Sequence, residues 1–273
     1  MTTLPTVTGT TSPSRLCDVV ISSRDLERDT AVFTAITGMQ PSCVDEQSPS
    51  GTVAFTMGNG RVTLISGPLP AGSTERGITR IIIDVDDLTA RTRALEQDGA
   101  KLHRTADQVE VDGTWAGTTV ELRNATPSNA TPSNDTASND TASGAGGAVL
   151  DHVAILVGDL ESMTRRWTTI LGTPPANVGL HPLGTSIAAR FILGDRMIEL
   201  LAGLPDRESP LRARHHQVGD SPFALALIST DLDVTILNIT ATGARILNQP
   251  PHLVIHPSDA GGVPIQITPR VHQ

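Results

Sequence analysis

The chain has 273 residues, a formal net charge of −9 and an isoelectric point near 5.3. It offers no basic face for nucleic acid or an anionic membrane, and no apolar run long enough for a spanning helix. Two cysteines are too few for a disulfide framework or a structural zinc site. With no Tyr, two Trp and four Phe, a tyrosine acid is excluded and a pocket that stacks flat drugs is disfavoured.

Residues 1–14 read as a flexible N-terminus without the charge and apolar core of a signal peptide, so a cytoplasmic protein is expected. From there the chain repeats one unit four times. A strand-like run (CDVVISS, TRIIIDV, DHVAILV, FALALIS) leads each time to an Asp-Leu pair at Asp25, Asp87, Asp159 and Asp231. Each Asp is placed to cap a helix. The helices carry apolar stripes, clearest in Leu160, Met163, Trp167 and Ile170 and again in Leu232, Ile236 and Ile239. Each ends at a glycine, Gly38, Gly99, Gly172 or Gly243, at 13, 12, 13 and 12 residues from its Asp. Short strand-like runs follow every helix, among them RVTLIS, TTVELR, RMIELLA and VPIQIT. Regularity of this kind outranks any single motif.

Between the second and third units, ATPSN-ATPSN-DTASN-DTASG-AGG reads as a low-complexity linker over 125–147. Its Asn-x-Thr triplets are products of the repeat. The expected organisation is α+β with two tandem domains, 15–124 and 148–270. Each is a pair of βαβββ units whose curved, partly closed sheet surrounds a cavity, with helices outside. PLRARHHQVGD, which holds Arg212, Arg214, His215 and His216, reads as a polar connector.

LDHVAILVGDL, MIELLAG and VIHPSDAGGVPIQI resemble the vicinal oxygen chelate superfamily, closest to its methylmalonyl-CoA epimerase-like branch. The resemblance covers most of residues 149–269, and more loosely 16–122. It implies a small-molecule substrate and, in most members, a divalent metal whose ligands come from the first and last strand of each unit. Carried over by the internal repeat, the first-strand positions are Asp18, Arg80, His152 and Ala224. The last-strand positions are Thr63, Glu121, Glu199 and Gln266.

In the first domain Arg80 repels a cation and is expected to pair with Asp18 or Glu121. Asp18, Arg80 and Glu121 are therefore read as structural or substrate-binding residues. In the second domain two readings stay open. One is a divalent Co, Ni, Mn, Zn or Fe ion on His152, Glu199 and Gln266, although Ala224 and Gln266 replace a His and a Glu of the family pattern. The other is no metal, with Glu199, His152 and His256, at the cavity mouth, moving protons unaided. The resemblance thus implies an isomerase, epimerase or lyase acting next to a carbonyl through an enolate-like intermediate, with bacterial specialised metabolism or antibiotic biosynthesis as its setting. The alternative is a non-catalytic small-molecule binding or self-resistance protein with a degenerate metal site. A monomer or homodimer suits either. An extradiol dioxygenase is rejected, since that branch needs two His, one Glu and a Tyr.

Overall fold

The computed structural model describes residues 14–43, 51–58, 60–66, 77–125, 147–181, 184–204, 209–248 and 253–270. The predicted flexible N-terminus and low-complexity linker fall almost wholly outside them.

The four repeats appear in chain order. The first is β1 (Arg15–Ser23), α1 (Leu26–Thr37), β2 (Ser42–Cys43), β3 (Thr52–Met57) and β4 (Gly60–Ser66). The second is β5 (Ile78–Val85), α2 (Leu88–Gln97), β6 (Leu102–Arg104), β7 (Gln108–Val111), the short α3 (Gly113–Ala116) and β8 (Thr119–Asn124). The third is β9 (Ala148–Leu156), α4 (Leu160–Leu171), β10 (Asn177–Leu180), β11 (Ser186–Leu193) and β12 (Arg196–Gly203). The fourth follows α5 (Pro210–Val218) and holds β13 (Ser221–Ser229), α6 (Leu232–Ala241), β14 (Leu253–Ile255) and β15 (Ile265–Pro269). Among its described residues the remaining pairing is one bridge, Ile246 to Ile255.

All four predicted caps form. The carboxylates of Asp25, Asp87, Asp159 and Asp231 accept from the backbone N–H of Arg28, Ala90, Ser162 and Val234 at 2.8–3.1 Å, satisfying a donor that has no partner inside the helix. One expectation fails. PLRARHHQV is helix α5, capped by Ser209 and begun by Pro210, a start signal that its polar composition concealed.

Strand order in the first module is β2-β3-β4-β1-β5-β8-β7-β6, and in the second β10-β11-β12-β9-β13-β15-β14. Both sheets are open, so the predicted partial closure is curvature without a closed barrel. In each, the first strands of two units pair antiparallel at the centre, and each runs parallel to the last strand of its own unit. The register repeats as well. Thr63, Glu121, Glu199 and Gln266 face Val20, Ile82, Ala154 and Ala226, each two residues beyond Asp18, Arg80, His152 and Ala224. Because strand side chains alternate, each pair of positions shares a face.

The two modules share one hydrophobic core, running from Leu16 and Phe33 through Trp167 and Ile198 to Ile267. α1 packs on α6 and α2 on α4. Buried Asp259, in the HPSDAGG loop, pairs with Arg28 of the first module at 2.6 Å and with Arg245 at 2.8 Å. Beside it Gly261, at φ 66°, donates its N–H to Asp29 at 3.0 Å; a β-carbon there would meet Ile21 at 2.7 Å. The Arg245 hydrogen bond, helped by Arg28, lowers the Asp259 carboxyl from 3.8 to about 2. A carboxyl with a depressed native pKa binds fewer protons folded than unfolded. Its stabilisation is therefore present above about pH 4 and disappears as pH falls toward 2. Urea midpoints measured from pH 5 to 2 are expected to fall more steeply for the parent than for Asp259→Asn; parallel curves would refute the assignment.

Candidate functional site

In the second sheet, the face away from the main core carries a small separate cluster of Ala154, Ala188, Leu201 and Ala224, with Phe223 against it. Alanines on β9, β11 and β13 keep this face low beside longer polar side chains. One cross-strand row reads Asn177, Arg190, Glu199, Ala154, Ala224, and the next reads Met197, His152, Ala226, Gln266, Val254.

Glu199 is the centre. It is buried, with only 5 % of its side chain exposed. Its Oε1 accepts the Nε–H of Arg190, directly opposite on β11, at 2.7 Å. Its Oε2 lies 3.9 Å from the Nε2 of two histidines, His152 on β9 and His181 just beyond β10. His152 is fixed from behind, its Nδ1 lying 2.6 Å from Oδ2 of Asp151. That contact fixes a proton on Nδ1 and turns Nε2 toward Glu199. Asp151 escapes the alternation because β9 has an irregular register between Leu150 and His152. Burial lowers the pKa of His181, with Arg190 and His152 acting in the same direction and Glu199 opposing them.

Of the predicted second-module residues, His152 and Glu199 are thus brought together. Gln266 is two strands away from His152, with Ala226 between them. His256 turns to other partners: its Nδ1 contacts the Ser258 hydroxyl at 2.9 Å and Arg245 at 3.1 Å, within the loop that docks on the first module. Sequence reasoning passed over Arg190, His181 and Asp151.

In the first module, Arg80 donates to Glu121 at 2.9 Å and also pairs with Glu110 at 3.1 Å, while Arg123 pairs with the other oxygen of Glu121. Asp18 takes Arg61 at 2.7 Å and the Thr63 hydroxyl at 3.0 Å. Burial raises the Asp18 pKa against the pull of Arg61 and Thr63. Both buried carboxylates are therefore occupied by arginines whose outer parts remain accessible.

A divalent ion does not fit the donor set as placed. Among the described residues no three His, Cys, Asp or Glu side chains are grouped to hold one. The nearest approach, Glu199 with the Nε2 atoms of His152 and His181 each 3.9 Å from its Oε2, has a guanidinium on the same carboxylate, and its charge opposes a cation.

The glyoxalase-like domain family model matches residues 150–254. Over nearly the whole chain, a triple variant of 4-hydroxymandelate synthase from Streptomyces coelicolor superposes with a TM-score of 0.69 at 14% identity, covering 95% of this chain and 93% of that one. A fusion of a xylose isomerase-like TIM barrel with 4-hydroxyphenylpyruvate dioxygenase gives 0.66 at 14% identity, over 97% of this chain and 50% of that one. Methylmalonyl-CoA epimerase from Mycobacterium tuberculosis is 26% identical over 45% of this chain and 88% of its own, with a TM-score of 0.40. No curated protein matches the sequence significantly. The two tandem sheets and the family match define a protein of the paired βαβββ class. Residues 150–254, in the second module, match the glyoxalase-like domain family, and the chain as a whole shares the fold of the two-domain structures it superposes on.

Proposed function

We propose that the second module is an enzyme acting on a small carbonyl compound, an isomerase, epimerase or lyase that moves a proton next to the carbonyl through an enolate-like intermediate. The observation carrying this reading is the Oε2 of Glu199, a buried carboxylate oxygen with imidazole nitrogens on two sides and no hydrogen bond from the arginine that holds Oε1. A carboxylate and an oriented imidazole together can take a proton from one face of a carbon and return one from another. In this scheme one of His152 Nε2 and Glu199 Oε2 carries a proton at the start: the other takes the substrate proton, the first returns its own, and Asp151 keeps the His152 ring oriented.

A second reading, non-catalytic binding or self-resistance, is favoured by one feature: Arg190 already neutralises Glu199, as Arg80 and Arg123 do Glu121. Proton exchange with solvent separates the two. The purified chain is expected to exchange deuterium from D₂O into the carbon next to the carbonyl of a set of 2-oxo acids and acyl thioesters, followed by NMR. Exchange at the uncatalysed rate for every member, with binding still seen by calorimetry, would leave the binding reading.

A further inference from the structure

Arg190 is held in an unusual way. The one hydrogen bond its side chain makes to the described residues is the Nε–H given to Glu199 Oε1, yet that side chain is only 23 % exposed. A guanidinium has five N–H donors in a fixed plane. With Nε spent on the carboxylate, the edge formed by Nη1 and Nη2 keeps two parallel N–H groups. Such an edge matches two coplanar oxygens of a carboxylate or an enediolate, and binds them with two hydrogen bonds at once. Among the described residues, the two strand rows through Glu199 and His152 hold no second arginine, while Arg212 of α5 lies against Gly203 at the end of β12.

The surroundings select the same ligand. Glu199 compensates the Arg190 charge and fixes the guanidinium plane, so little ordering is left to be done on binding. His152 and His181 place their Nε2 atoms at the other oxygen of Glu199, so a planar anion resting on Arg190 has its adjacent carbon facing that group. The corresponding positions on the hairpin partner strands of the other three units are Ala54, Glu110 and Val254, opposite Thr63, Glu121 and Gln266. An arginine at this place is peculiar to the third unit.

We infer that Arg190 is the anion-binding group of the second module, taking a carbonyl compound that bears a neighbouring carboxylate, a 2-oxo acid or its enolate, and doing so without a metal ion. This rests on the proton-transfer reading above and names its substrate class. The guanidinium would stabilise the negative charge that develops on oxygen as the proton leaves, the task of a preorganised donor pair.

Oxalate is the probe, as a planar dianion with the oxygen spacing of an enediolate. Calorimetry on protein treated with EDTA and then dialysed is expected to show one oxalate per chain with Kd below about 1 mM, a range ordinary for a bidentate arginine site. Arg190→Lys is expected to weaken it at least tenfold, since an ammonium lacks the fork. Arg190→Gln alone leaves Glu199 buried without its partner and risks the fold. The double variant Arg190→Gln with Glu199→Gln keeps a neutral hydrogen-bonding pair, and is expected to melt as a folded protein and bind no oxalate. Unchanged oxalate affinity in either the lysine or the double variant, or binding that appears only after Co²⁺, Ni²⁺, Mn²⁺ or Zn²⁺ is added, would overturn the assignment. Failure of the enzyme reading looks different: oxalate then binds through Arg190 while no 2-oxo acid exchanges deuterium.

Discussion

Replacing Trp167 with alanine is expected to lower the stability of the whole chain by about 3–5 kcal/mol, the usual cost of emptying a large aromatic site. Trp167 is wholly buried in the third unit, yet its indole N–H donates to the carbonyl of Ala116 in the second, at 3.0 Å. The preceding Arg166 donates to Trp115 at 2.9 Å and lies 5.6 Å from its ring. The substitution therefore opens a cavity and orphans a buried carbonyl at the junction of the modules. Since the core is continuous across that junction, one cooperative unfolding transition is expected, displaced to lower temperature by roughly 10 °C for a chain of this size. Trp167→Phe, which keeps an aromatic ring but loses both part of the volume and the N–H, should fall between the two. Calorimetry decides: two separate transitions in the parent, with only one displaced in the variant, would show that the modules do not share their stability.

The same junction shows where sequence reading reaches and where it stops. The caps at Asp25, Asp87, Asp159 and Asp231 were legible because a cap is local chemistry, and the fourfold register followed from counting back from each cap. Pairing of Glu199 with Arg190 was also legible in principle. Gly194 and Asp195 form a two-residue turn, with Gly194 at φ 72° and Leu193 opposite Arg196. Counting three residues outward on each side sets Arg190 against Glu199. His181 had no such signal, since it lies beyond β10 and reaches Glu199 only through the curvature of the sheet. Asp151 was hidden by the irregular register of β9. The loop holding His256 misled for a tertiary reason: its Asp259 and Gly261 find their partners, Arg28 and Asp29, more than 200 residues away in sequence.

In the second module, Glu199→Gln is expected to slow deuterium exchange into a 2-oxo acid by about 10²–10⁴, the range of a positioned acid or base. The amide is nearly isosteric and retains a carbonyl oxygen for the Arg190 Nε–H, so the geometry of the face should survive. What it loses is the oxygen able to carry a proton between the imidazoles. His152→Ala should cost a similar factor if the two groups act as a unit, and the double variant then little more than either single one, because coupled groups are not additive. Asp151 acts on the substrate only through His152, so its role needs a separate readout. Asp151→Asn should slow exchange by about tenfold or more and move the pH profile, because the asparagine no longer holds the proton on Nδ1 and the ring is freed to place it on Nε2. An Asp151→Asn protein with the parental pH profile would remove Asp151 from the mechanism. An unaltered exchange rate in Glu199→Gln would remove the carboxylate itself and leave the site as a binding face built on Arg190.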